Sequence, residues 1–442
     1  MKKIHILLFL PPLFAIIFVG YFGVNFPFWD EWEIPLALDS VLTNGLTFGD
    51  LWSLHNEHRI FFPAIVYLIS AYLTDFNVKA NMYISWIFQS GIYLFMLLYL
   101  KKLIEDDKRF IFCALCLGFV VFNFVQFENQ LWGFQVGFFM AAFFAVSCFY
   151  FFDKWLKTEN KKYIALSLLF AVMASYSCLQ GLFVFPAMIA ILIFLDKKKY
   201  SFYILLIALL VYAIYFNNFH FGTSDLVNTY SNEIKYSMAV FFNILGAPFY
   251  LNFIFIHPEF SSGVTFTEAT YNLIFLTGIS VFIYYVSILI YLIKFKRIEN
   301  NIFPLTLICF SLCFAFSIAM ARGSVSGFAY VSRYTTFILL GHIGLFLIVY
   351  SEFILKANLQ KIKTVITSIF SFLLILLCLQ NAIIFNLPSH KEIREQKQSM
   401  LINYKKLNEQ ELVMIDIIIL KRCPPKVCIE LLEKRKWSVF AE

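Results

Sequence analysis

The feature that most limits what this chain can fold into is a series of apolar runs, each close to the length that crosses a bilayer. They cover 4–24, 81–100, 110–126, 134–152, 163–179, 182–195, 201–217, 270–293, 302–320, 334–351 and 364–386. A span needs about 20 mostly apolar residues. In hydrocarbon every backbone N–H and C=O must find its partner inside the segment, which favours helices. The chain is 61% hydrophobic and only 14% charged, against about 25% charged in soluble domains. The expected fold is therefore an all-α polytopic membrane protein of about 11 transmembrane helices. The start, "MKKIHILLFLPPLFAIIFVGYFG", has a basic n-region but no small-x-small cleavage pattern, and is read as a retained first span.

The net charge of +7 does not point to nucleic acid, because the Lys and Arg sit in short clusters between apolar runs. Lys2 and Lys3, "KKLIEDDKR" (101–109), "DKWLKTENKK" (153–162), "DKKK" (196–199), "KFKR" (294–297) and "KANLQKIK" (356–363) are expected on the cytoplasmic side. Placing them all there requires an even number of crossings between successive clusters. The ambiguous stretches 60–74 and 236–256 then cannot each cross once. The first is read as an interfacial helix, and the second, which contains "GAP", as a broken or re-entrant pair. The N-terminus is expected inside and the C-terminus outside. Residues 1–386 form the membrane domain, with 25–80 as its first external loop, and 387–442 a small external domain. In an oxidising compartment the tail's "CPPKVC" suits a disulfide between Cys423 and Cys428. Cys113 and Cys116 form a CxxC inside an apolar run, without the second Cys or His pair a metal site needs.

The external segments carry the chemistry. The first loop opens "FWDEWEIP", with Asp30 and Glu31 between Trp29 and Trp32, and continues through an amphipathic stretch to "HNEHRIFFP", with His55, Glu57, His58 and Arg59. Two His are too few to claim a metal site. The second external segment, "VQFENQLWGFQ", holds Glu128, Gln130, Trp132 and Gln135, carboxylate and amides beside an aromatic, a set suited to sugar contacts. A later one, "ARGSVSGFAYVSRY", holds Arg322, Arg333 and Tyr334. Guanidinium groups there suit bidentate binding of a phosphate. Arginines would hold a phosphate leaving group, with Arg59 sharing that work, while Asp30 or Glu31 deprotonates an acceptor hydroxyl. There is no Gly-rich phosphate loop or dinucleotide fingerprint, so a donor on this face would be lipid-linked.

The acidic pair after the first span, followed by interfacial helices and a basic-aromatic-Pro element, resembles the GT-C membrane glycosyltransferases. The "FENQLWGFQ" and "SRY" stretches and the Cys-containing tail make it most similar to phage-type serotype-converting glucosyltransferases of bacterial O-antigen. That resemblance implies a GT-C-like bundle in the bacterial inner membrane. Its donor would be undecaprenyl-phosphate glucose and its acceptor a lipopolysaccharide O-antigen or other surface glycan, on the periplasmic face. No cofactor is assigned, and the need for a divalent cation is left open. Two alternatives stand beside this reading. A lipid-linked sugar flippase or transporter predicts charged or broken helices at mid-membrane and an internal repeat. A membrane O-acyltransferase predicts a catalytic His, for which His220, His257 and His342 are the candidates.

Overall fold

The computed structural model describes residues 3–56, 58–219, 234–249, 268–322, 331–355, 387–415 and 425–441. Helices dominate, and the strand content of the described residues is one two-stranded hairpin, β1 (Leu54–His55) with β2 (His58–Arg59). Eight helical stretches are long and apolar enough to cross a membrane: Ile4–Phe22, Val78–Leu103, Asp107–Leu131, Gly133–Thr158, Lys198–Tyr215, Tyr271–Lys294, Ile298–Ala321 and Ser332–Ile354. These coincide with eight of the eleven expected runs. The chain is an all-α, multi-pass membrane protein.

The remaining three runs behave differently. Run 364–386 lies outside the described residues. Runs 163–179 and 182–195 form helices too short to qualify, Lys161–Ser175 and Leu179–Phe194. At 1.5 Å per residue each is about 22–24 Å long, below the roughly 30 Å hydrocarbon thickness. The turn joining them is tight: a Cβ on Gly181 would lie 1.8 Å from the Ala174 carbonyl oxygen, so only glycine fits. The turn between them carries Leu179, Gln180 and Phe183, which line the cleft described below.

The helices needed here are α1 (Leu10–Phe22), α2 (Glu33–Asn44), α3 (Phe48–Trp52), α4 (Phe61–Leu73), α5 (Val78–Leu103), α6 (Asp107–Val121), α7 (Phe127–Leu131), α8 (Val136–Thr158), α9 (Lys161–Ser175), α10 (Val184–Phe194), α11 (Lys198–Tyr215), α12 (Ile234–Gly246), α13 (Glu268–Lys294), α14 (Ile302–Arg322) and α15 (Thr335–Val349). Side-chain caps start several of them: Asn77 accepts from Lys79 N, Asp106 from Arg109 N and Asn160 from Lys162 N, satisfying donors that a helix start leaves open. The spans alternate in direction, so the basic clusters near 101–109, 154–162, 196–199 and 294–297 gather at one end. Span Gly133–Thr158 is the central one, with 78% of its apolar window buried, while Lys198–Tyr215 and Tyr271–Lys294 lie at the rim with 22% and 28%. Phe149, Phe310, Phe314 and Phe337 pack tilted or edge to face across α8, α14 and α15.

Span Asp107–Leu131 breaks at Phe122 and resumes as α7. The exposed carbonyl of Val121 accepts from both Gln89 Nε2 (2.8 Å) and Gln126 Nε2 (2.7 Å). Helix α4 has 13 residues and is about 20 Å long. It starts beside the hairpin and ends one turn before Val78, whose carbonyl lies near Gly133. Both its ends are thus at the end opposite the basic clusters, as expected of a non-spanning helix. Helix α12 stops part-way: Phe249 reaches the His342 ring (5.2 Å between centroids) in the middle of α15. The rest of the expected pair, beyond Phe249, lies outside the described residues.

The tail is not a detached domain. Helices α16 (Leu387–Ile402), α17 (Glu409–Ile415) and α18 (Pro425–Arg435) lie on the first loop. Gln398 Nε2 donates to the Asn25 carbonyl (3.2 Å) and Arg435 Nε to Asp39 (2.7 Å), while Ser438 N donates to the Asp75 carbonyl (2.6 Å). Cys428 is disulfide-bonded; Cys423, its expected partner, lies outside the described residues. The other six described cysteines, Cys113 and Cys116 among them, are not in disulfides.

Candidate functional site

A cleft of about 350 Å³ opens at the end opposite the basic clusters. Its walls come from segments far apart in sequence: Trp29 and Asp30 after α1, His55, Asn56 and His58 of the hairpin, Trp132, Phe134, Gln135 and Phe138 at the start of α8, Leu179, Gln180 and Phe183 before α10, Ser317, Ile318 and Ala321 of α14, and Arg333 and Tyr334 before α15.

The local sequence sets each position. Trp29 has φ +48°, a left-handed conformation that a bulky residue adopts at some strain. This reversal lets neighbouring carboxylates face opposite ways. Asp30 lines the cleft. Glu31 is fully buried behind the wall, its Oε2 accepting from Phe28 N (2.8 Å) and its Oε1 from Phe134 N (3.1 Å). A Cβ on Gly133 would sit 2.7 Å from that Oε1, so glycine is needed for the approach. Burial pushes the Glu31 carboxyl up to about 8, against the pull of Arg394 and the backbone N–H groups. Trp32 is also in the core, edge-on to Phe26. Trp29 and Trp132 do face the cleft, with ring centroids 5.8 Å apart at 84°.

His55 is 7% exposed and stands between two carboxylates. Its Nδ1 is 2.9 Å from Glu33 Oε2 and its Nε2 3.5 Å from Asp30 Oδ2. Burial alone would disfavour the charged ring, but Asp30 and Glu33 outweigh it and raise its pKa to about 9. His55 is thus an imidazolium at neutral pH, hydrogen-bonded on both nitrogens. The ligand atoms of Asp30, Glu33 and His55 lie within 4.8 Å of one another, near enough to gather round a divalent cation if the ring gave up its proton. The sequence had grouped His55 with Glu57 and His58 instead. His58 also lines the cleft but stands outside that cluster, its Nδ1 accepting from Leu179 N (3.3 Å), and Glu57 lies outside the described residues.

Of the expected arginines, Arg333 lines the cleft. Its backbone N donates to Glu128 Oε2 (2.9 Å) and its guanidinium stands 3.9 Å from the same oxygen, a loose pair that leaves donors for a ligand. Arg59 is elsewhere. It is 4% exposed, packs over Trp52, and donates to the carbonyls of Trp52, Tyr215 and Asn217. It closes the end of α11 and does not line the cleft, so its donors serve the fold. Arg322 ends α14 just after the lining residue Ala321; its side chain lies outside the description.

The "FENQ" residues build the wall and do not face into the cleft. Glu128 holds the Arg333 backbone, and Asn129 Nδ2 donates to the Arg333 carbonyl and to Thr336 Oγ1 (2.8 Å each). Gln130 is buried behind them, its amide atoms unpartnered among the described residues, a setting suited to ordered water. Gln135 does line the cleft; it is 4% exposed, and its buried Oε1 has no partner among the described residues. The sequence reading missed Asn56, Gln180, Ser317, Glu33 and Arg394. Glu33 was legible as a third carboxylate of "WDEWE", one helical turn beyond Asp30; Arg394 carried no local signal.

No protein-family model, no curated protein and no solved structure matches the chain.

Proposed function

We propose that this protein transfers a sugar from a polyprenyl-phosphate donor to a surface glycan, on the membrane face opposite its basic clusters. The observation that carries the reading is the convergence in one aromatic-walled cleft of a carboxylate, Asp30, and a guanidinium, Arg333, at a membrane end. Basic clusters favour the cytoplasm, and a disulfide such as that of Cys428 favours an oxidising compartment. Both support a cleft on the outer face; the bacterial inner membrane rests on the resemblance described above. A donor there carries its phosphate on a lipid, which a cleft at the bilayer edge can receive.

In this reaction the bond between the anomeric carbon and the phosphate oxygen breaks, and its electron pair leaves with the phosphate. The acceptor oxygen bonds the anomeric carbon and its proton passes to Asp30. Arg333 offers the departing phosphate a bidentate cation. His55 supplies Asp30 with a cationic neighbour and, through Glu33, a fixed position. Trp29 and Trp132 present faces for a sugar ring, and Gln135 an acceptor for a hydroxyl. A general base of this kind contributes on the order of 10²–10⁴ in rate. Glucose as the donor sugar, and O-antigen as the acceptor, rest on the resemblance described above.

The test is mass spectrometry of surface polysaccharide from cells with the wild-type gene, Asp30→Asn, or no gene. A hexose-sized mass gain that requires Asp30 supports the proposal. An acetyl-sized gain would replace it with acyl transfer, and an unchanged polysaccharide in all three would remove it.

A further inference from the structure

Arg394 belongs to α16 in the tail, yet it is 3% exposed. Its Nη1 donates to the Leu131 carbonyl (2.7 Å) and its guanidinium lies 4.5 Å over the Phe28 ring. Each contact touches a wall of the cleft. Phe28 stacks on Trp29 at 5.3 Å, next to Asp30, and Leu131 directly precedes Trp132. The two walls already touch, since Trp132 Nε1 donates to the Phe28 carbonyl (3.1 Å) and Glu31 bridges Phe28 N and Phe134 N. They also bury two carboxylates, Glu31 and Glu128, and the charge of Arg394 acts on both. Buried carboxylates without a cation are strongly destabilising.

We propose that Arg394 is a positioning residue: the tail inserts it between the segments 25–32 and 127–135, and it holds them together so that Asp30 and Arg333 face one cleft. The consequence for activity rests on the proposed glycosyl transfer, but the positioning does not. Arg394 bonds the Leu131 carbonyl and packs over the Phe28 ring, and it stands ready as a counter-charge when the Glu31 carboxyl ionises, near pH 8 and above. Other tethers, such as Arg435 to Asp39 and Gln398 to the Asn25 carbonyl, keep the tail docked without it.

The experiment compares full-length wild type, Arg394→Met, Glu31→Gln and the double variant in detergent. The first readout, hydrogen exchange by mass spectrometry, needs no activity. Arg394→Met is expected to speed exchange at least tenfold in peptides covering 25–32 and 127–135, and to leave the α2 and α18 peptides unchanged. Because the Glu31 carboxyl ionises only above about 8, the coupling is read at pH 9, where the double variant should exchange several-fold more slowly than Arg394→Met alone. Polysaccharide modification should fall at least tenfold in Arg394→Met. Unchanged exchange in Arg394→Met would overturn the proposal, as would strictly additive effects, which mark mere packing. The expected exchange pattern with no transferase activity even in wild type would uphold the positioning and overturn the glycosyl transfer.

Discussion

Replacing Glu31 by Gln separates the two carboxylates of "WDEW" by their response to pH. In the folded protein the Glu31 carboxyl is raised from 4.5 to about 8 by complete burial. Between those values the folded protein holds a proton that the unfolded chain has released, so stability falls as pH rises. The full effect corresponds to about 5 kcal/mol, at 1.36 kcal/mol per pH unit. Roughly 2 kcal/mol of it is already present at pH 6 and nearly all of it at pH 9, so about 2–3 kcal/mol accumulates between them. Gln cannot ionise. It also loses one of the oxygens that accept from Phe28 N and Phe134 N, a deficit of about 1–3 kcal/mol that does not vary with pH. Thermal unfolding of both proteins in detergent from pH 6 to 9 should show wild type losing about 2–3 kcal/mol more than Glu31→Gln. His55 titrates in both proteins and cancels in the comparison. Parallel stability curves would refute a buried carboxyl held protonated. Loss of all activity in a Glu31→Gln protein that stays folded would return Glu31 to the role of base.

His55→Gln tests the bridge between Asp30 and Glu33. With its pKa raised from 6.5 to about 9, His55 stabilises fully below pH 6.5, by about 3 kcal/mol, and this is lost as pH rises through 9. His55→Gln should therefore unfold at lower temperature than wild type at pH 6 and converge with it near pH 10. The two arginines should part company by assay. Arg59→Met is expected to lower stability by about 3 kcal/mol or more, since several buried carbonyls lose a charged donor, with the KM for donor unchanged in the folded fraction. Arg333→Lys should raise donor KM at least tenfold with little change in unfolding temperature, because Lys offers no bidentate fork.

The sequence alone determined that the chain is an all-α multi-pass membrane protein, with eight of its eleven apolar runs long enough as helices to cross, and that polar residues gather at the ends of those runs. Both follow from local properties: bilayer thickness sets run length, and clusters such as "KKLIEDDKR" and "DKKK" sit at helix ends whose direction alternates. Asp30, His55, Trp132, Gln135 and Arg333 were legible for the same reason, as polar or aromatic groups at span ends where the membrane offers no compensation. The roles of neighbours were not legible. Asp30 and Glu31 are adjacent and chemically alike, and only the left-handed turn at Trp29 sends one into the cleft and the other into the core. Arg59 reads in the sequence as sharing the phosphate with Arg322 or Arg333, until α11 presents its terminal carbonyls to it. Glu128 looked like a sugar contact until the Arg333 backbone came to rest on it. Arg394 lies more than 260 residues from the carbonyl it binds, and no local pattern marks it. Local sequence decides what a residue can do; which partner reaches it first, and so what remains for a ligand, is decided by contacts between distant segments.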